Sequence, residues 1–286
     1  MFVYFVLIFQ QLLASGTHII AKIVVRDIEP LTLTLLRSVL AASGLLVYLW
    51  LKGNRLKFEH QDKKKILWLS FLAIPVNQFL FLAGMKYSTP ANAALLYGTT
   101  PAVVLILSHY LGKEKITFRK GIGVFVALAG IIIIVFERGI DFKSEYTFGN
   151  ILFVIAVLAW GLYTVQGRTM TLKYGAFKAS TATMILGGAF FFPVGMIGAV
   201  QFDYSSLTVA HVGGLLYLAI ATSIFSYYLW YYALERIEAS KAAIFSNIQP
   251  ILTTTFAVFL LGQELTSAFF IGGVLALTGV ILTQFG

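Results

Sequence analysis

The chain has 286 residues, 59% of them apolar and 12% charged, with no cysteine and a net charge of +9. A soluble domain holds roughly 45–50% apolar and about 25% charged residues, so this composition excludes a single water-facing core and calls for a bilayer. With no cysteine, no phosphate-binding glycine loop and basic residues confined mostly to loops, the sequence excludes disulfides, Cys-ligated metal and ATP hydrolysis, and gives no expectation of a nucleic-acid partner or a cofactor.

Ten apolar stretches separated by polar or Pro/Gly-containing segments are predicted as spanning helices, at about 2–21, 31–51, 66–84, 91–111, 119–136, 149–167, 178–199, 210–234, 241–261 and 266–285. Ten spans use about 200 residues, which leaves loops and no room for a soluble catalytic domain. The first stretch starts at Met1 without a basic leader and is read as a retained helix, not a cleaved signal. It places Gln11, Ser15, His18 and Lys22 at helical spacing on one face. Polar groups in hydrocarbon are costly unless paired or wet. Such a stripe faces either a cavity or a neighbouring helix, with Lys22 snorkelling at the surface.

The second stretch holds Arg37. The third carries Asn77 and Gln78 just after Pro75. Proline removes a backbone donor and frees a carbonyl, so these amides either patch the kink or meet a solute. The fourth has Tyr97, Thr99, Thr100 and Pro101. The ninth has Ser246, Asn247, Gln249, Pro250 and three threonines from Thr253. Interrupted helices at matching positions point to a transporter site, although threonines also bond back to their own helix. The sixth presents Trp160 and Tyr163, and the eighth Ser223, Tyr227, Trp230 and Tyr231. These suit an aromatic wall, since small-molecule sites are mostly apolar with few polar anchors. The fifth and tenth carry Gly-x-x-x-Ala-x-x-Gly runs, smooth faces for scaffold packing or a homodimer contact. Glu114 and Glu264 sit in short turns and are expected to cap the next helix.

With the N-terminus in the cytoplasm, fifteen Lys and Arg fall on inner loops and five on outer ones, which favours both termini inside. The halves also match. Pro101 aligns with Pro250, Ala93-Ala94 with Ala242-Ala243, and Gly123, Ala127 and Gly130 with Gly272, Ala276 and Gly279. A repeat of five spans enters the membrane from the opposite side the second time. The expected fold is therefore an all-α integral membrane protein of ten transmembrane helices in two inverted five-helix repeats, residues 1–140 and 148–286.

The sequence resembles the EamA branch of the drug/metabolite transporter superfamily. The resemblance rests on Ala159-Trp160-Gly161 echoed by Ala14-Ser15-Gly16, on Pro30 followed by Arg37, on the runs Ala91 to Pro101 and Ser240 to Pro250, and on the turns with Glu114 and Glu264. It departs from the family where Ser15 stands in place of the usual tryptophan. The resemblance implies alternating access and export or uptake of small metabolites. The expected activity is a carrier, not an enzyme, for amino acids or similar amphipathic solutes, working as an exporter in a bacterial inner membrane. The expected solute contacts are Gln11, Ser15, His18, Asn77, Gln78, Tyr97, Trp160, Tyr163, Tyr227, Asn247 and Gln249, with no metal and with the solute and lipid as partners. No Asp or Glu lies at the middle of a span, so proton coupling would need His18 or the solute itself. The alternative is a non-transporting membrane subunit or a lipid-handling membrane protein.

Overall fold

A computed structural model describes residues 2–111, 117–136 and 144–285, with side chains to 282 in the last helix. Ten helices follow one another: α1 Phe2–Val24, α2 Pro30–Leu51, α3 His60–Tyr87, α4 Pro90–Tyr110, α5 Phe118–Val135, α6 Glu145–Tyr174, α7 Ala176–Ala199, α8 Val209–Arg236, α9 Ala239–Leu261 and α10 Ser267–Phe285. The first nine are long and apolar enough to cross a membrane, and α10 has nineteen residues. Helices suit this solvent because each satisfies its own backbone polar groups. Large apolar side chains such as Trp50, Phe118, Phe125 and Phe259 lie on the outside, as a lipid-facing surface requires. The protein is an all-α, multi-pass membrane protein.

Ion pairs tie the loops together at two opposite ends. At one end Lys86 bonds Glu29, and His211 Nε2 lies 2.9 Å from Asp27, which joins the α1–α2, α3–α4 and α7–α8 connections. At the other end Lys173 lies 2.7 Å from both Glu59 and Asp62. Lys22, near the end of α1, donates to the Met85 and Ser88 carbonyls at 2.8 and 2.6 Å. It thereby caps the C-terminus of α3, where cations are favoured.

Helices α5 and α10 touch backbone to backbone. A Cβ on Gly130 would fall 2.6 Å from the Gly272 carbonyl oxygen, and one on Gly279 would fall 2.6 Å from that of Gly123. The contacts are reciprocal and the register is antiparallel. The expected glutamate caps fare differently. The N-terminus of α10 is capped by Thr266, whose Oγ1 accepts from the Phe269 N–H at 3.0 Å, and α5 is capped the same way by Thr117 from Lys120 at 3.3 Å. The threonine hydroxyls stand one residue before the first turn and reach its free N–H groups, so capping does not fall to Glu264. Glu114 lies outside the described residues.

Four helices are irregular at mid-length. In α3 a π-helical stretch runs over Leu72–Gln78 around Pro75, and in α8 another runs over Tyr217–Ser226 without a proline. Within the second, the Ser223 hydroxyl donates to the Leu218 carbonyl five residues back, at 3.1 Å. α4 breaks between Gly98 and Thr100, and α9 tightens to a 3₁₀ turn over Ile244–Asn247. In α4 the hydroxyls of Thr99 and Thr100 bond back to Leu96 and Tyr97 carbonyls. Such irregularities rotate side chains off the regular 3.6-residue face and are frequent at functional sites.

Candidate functional site

The irregular stretches of α3 and α8 line a cavity of about 70 Å³, to which α1, α2, α3, α4, α6, α8 and α9 all contribute, α4 through Tyr97 just before its break and α9 through Gln249 just after its 3₁₀ turn. From α1 the lining residues are Gln10, Ala14, Thr17 and His18, which share one helical face. This face is rotated by one residue from the stripe that the sequence suggests. Gln11 and Ser15 turn instead toward the α9 side, where Gln249 Nε2 donates to Gln11 Oε1 at 2.6 Å. Gln11 in turn donates to Gln10 Oε1 at 2.7 Å, and Gln10 to Ser226 Oγ on α8 at 2.9 Å. Thr17 and Thr222 join hydroxyls at 2.7 Å beside them. Three glutamines thus link α9, α1 and α8 in one chain of hydrogen bonds.

His18 is fixed from two sides. Its Nδ1 lies 2.8 Å from the Ala14 carbonyl, and a carbonyl only accepts, so Nδ1 carries the hydrogen. The rings of Phe81 and Tyr97 stand edge-on to the imidazole at 5.1 and 5.7 Å. In the neutral imidazole Nε2 is then the acceptor, and it is buried with no hydrogen-bond partner among the described residues.

On α3, Asn77 does not patch the proline kink. Its amide donates to Tyr97 OH and to the Ala156 carbonyl of α6, each at 2.8 Å, and its Oδ1 accepts from Tyr227 OH at 2.9 Å. One side chain thereby connects α3, α4, α6 and α8. Gln78 Oε1 lies 3.4 Å from Ser223 Oγ, as an alternative acceptor to the Leu218 carbonyl for its one proton. Trp160 meets Tyr227 edge-on at 5.2 Å and completes the aromatic side of the cavity.

Among the residues expected from sequence, His18, Asn77, Gln78, Tyr97, Trp160, Tyr227 and Gln249 line this cavity. Four do not. Gln11 holds Gln10 and Gln249 from behind. Tyr163 is fully buried, stacked on Tyr231 at 4.8 Å and bonded to Thr183 at 2.9 Å, so it backs the aromatic wall. Ser15 and Asn247 lie outside, each with a buried oxygen that has no partner among the described residues. For these four the helix rotation, set by neighbours, overrides the spacing along the sequence.

Sequence reasoning passed over Arg37, Gln10, Thr17, Phe81, Thr222 and Ser226. Arg37 is the largest omission. It lines the cavity, is 1% exposed, and gives Nε and Nη2 to Ser223 Oγ at 3.2 and 3.0 Å. A charge inside an apolar stretch was the available signal, because intramembrane ionisable residues are functional by default.

Membrane-crossing helices closed around a buried polar cavity, with helices of both halves in its wall, define the class of multi-pass membrane proteins that carry solutes. The chain matches the EamA-like transporter family over residues 1–136 and again over 147–285. It is 32% identical to an uncharacterized transporter of Archaeoglobus fulgidus, covering 96% of this chain and 94% of that one. It is 28% identical to the uncharacterized transporter YetK of Bacillus subtilis, covering 95% and 83%. A solved crystal structure superposes with a TM-score of 0.70 at 18% identity, over 99% of this chain and 96% of that one, and shares the fold. This chain belongs to the EamA-like transporter family and is a transmembrane transporter.

Proposed function

We propose that the protein moves small organic metabolites, amino acids or similar amphipathic solutes, by alternating access, and that it works as an exporter. The observation that carries this reading is the cavity itself. It is lined by buried side chains, including those of the irregular stretches of α3 and α8, beside the α4 break and the α9 turn, and helices from both parts of the chain supply its walls. Transporter sites lie at such places because broken helices there expose polar groups without exposing backbone to lipid. Residues 1–140 and 148–286 are the two halves, inverted relative to each other. The antiparallel, reciprocal Gly130–Gly272 and Gly279–Gly123 contacts favour this relation, since a two-fold axis makes equivalent residues exchange partners. Rocking about that axis opens the cavity to one side and then the other. Both termini face the cytoplasm in this reading, in keeping with the loop charges.

His18, Asn77, Gln78, Tyr97, Trp160, Tyr227 and Gln249 contact the solute. Gln11 and Tyr163 hold them in place, while Ser15 and Asn247 act outside the cavity. The test is solute flux in vesicles of the pure protein, after a thermal-shift screen of amino acids, purines, sugars and polyamines. A ligand at 100 times its Kd stabilises the folded state by about 2.7 kcal/mol. Flux of one chemical class that Trp160→Ala and Tyr97→Ala both abolish supports the reading. Full transport in both variants refutes the site, and no flux of any solute favours a non-transporting subunit.

A further inference from the structure

Arg37 is a cation held inside a membrane-crossing helix and buried in the protein. Among the described residues no Asp or Glu pairs with it, and the ion pairs all lie at the helix ends. A guanidinium has five N–H donors. Two of them converge on the single oxygen of Ser223, the one hydrogen-bond partner of Arg37 found among the described residues. A buried charge that is neither paired nor fully hydrogen-bonded is strongly unfavourable, so this one needs a reason to be there. The wall of the cavity supplies a second unmatched group. His18 Nε2 is an acceptor without a donor, on a ring locked by Ala14, Phe81 and Tyr97. Excess donors with positive charge and two orphaned acceptors, His18 Nε2 and Gln249 Oε1, line the same small space. The complement is a solute with an anionic acceptor and, beside it, a hydrogen-bond donor. Between the two, Trp160, Tyr227 and Phe81 offer apolar faces.

We propose that Arg37 is the anion site of the cavity, and that the solute carries one carboxylate group bound there together with an N–H or O–H donor bound by His18 Nε2. A carboxylate matches the planar guanidinium in two parallel bonds, which a neutral amide cannot do. In the low dielectric of the bilayer the attraction is strong and solutes without an anionic group are disfavoured. This rests on the cavity being the solute site, as proposed above.

The test uses the full chain in mild detergent and matched pairs of acid and amide: lactate with lactamide, and phenylalanine with phenylalaninamide. Thermal shifts are read for the wild type, Arg37→Gln and Arg37→Lys. At least one acid raises Tm and its amide does not. Arg37→Gln binds that acid at least about tenfold more weakly, the loss expected for one charged hydrogen-bond pair, whereas Arg37→Lys keeps part of the shift. Without ligand, Arg37→Gln melts at or above the wild-type temperature, because the one proton of Ser223 still has an acceptor, the Leu218 carbonyl or Gln78 Oε1. Equal shifts with acid and amide, an undiminished acid shift in Arg37→Gln, or no acid shift in the folded wild type each overturn the proposal. If Arg37→Gln does not fold, the acid–amide contrast in the wild type and Arg37→Lys decides. Flux separates this inference from the carrier reading. Vesicles that move a neutral solute while acids fail to compete leave the carrier and remove the anion site. Acid binding lost in Arg37→Gln, with no flux of any solute, leaves the anion site and removes the carrier.

Discussion

Two helix seams in this molecule are built on opposite principles. Between α5 and α10, Gly123, Gly130, Gly272 and Gly279 let the backbones meet with almost no side chain between them. Between α1 and α9, the side chains are amides and hydroxyls. Gln11 and Gln249 bond to each other, yet Ser15 Oγ, Gln249 Oε1, Ser246 Oγ and Thr253 Oγ1 are buried with no partner among the described residues. The first seam gains dispersion from close contact and loses nothing to desolvation. The second carries several groups whose burial each costs about 1–3 kcal/mol. In the alternating-access reading proposed above, the unsatisfied seam belongs to the part that moves and the satisfied one to the part that does not.

The contrast breaks most severely at Gly130. Gly130→Leu drives a side chain into the Gly272 carbonyl and the Ala276 backbone, and neither can give way. Overpacking of this kind costs 1–3 kcal/mol in adaptable cores, and here more than ~3 kcal/mol is expected. The measurement is the monodisperse fraction and Tm in detergent, and a variant as stable as the wild type would mean that the seam is not backbone-tight. Asn77→Leu should come second. It takes the hydrogen bond from Tyr97 OH and leaves Tyr227 OH only the longer contact to the Ala73 carbonyl at 3.4 Å, with an expected loss of about 1–3 kcal/mol, and the same melting assay reads it.

The double substitution Gln11→Leu with Gln249→Leu sharpens the comparison from the other side. Removing both members of a buried pair is close to neutral, and here the loss of the orphaned Gln249 Oε1 offsets the loss of the donor that Gln11 gives to Gln10 Oε1. Tm should hold within ~1 kcal/mol or rise, while flux in vesicles falls because the closed seam is no longer poised. A clear loss of stability would show that the amides hold the seam together.

The smallest effect lies outside both seams. Hydrogen bonds from Lys173 and Gln61 hold the Glu59 carboxyl below its ordinary value of 4.5. A depressed carboxyl contributes stability above its unfolded-state pKa and loses it as the pH falls through the lower, folded one. The Tm difference between the wild type and Lys173→Ala should thus be constant from neutral pH down to about pH 5 and shrink below that. A difference that grows on acidification would contradict the pairing.

Much of this protein was legible one residue at a time. Apolar runs of about 20 residues fixed the helices, because a backbone in lipid can satisfy itself in few other ways. The Gly-x-x-x-Ala-x-x-Gly runs marked α5 and α10 as smooth faces for close packing, but whether they meet each other or a second copy was decided by the fold. The matching prolines of α4 and α9 marked where those helices break. The rotation of each helix about its own axis was not legible. Both Gln11-Ser15-His18 and Gln10-Ala14-His18 are valid faces of α1, and only Ser226, Thr222 and Gln249, more than 200 positions away, choose between them. The π-helical stretch of α8 has no proline to announce it, yet its extra residue per turn brings Ser223 to Arg37. Local chemistry determines that a segment is a helix because the backbone bonds are local. Which side chains meet at the cavity is decided by long-range packing, where a turn of a few tens of degrees exchanges one polar residue for its neighbour.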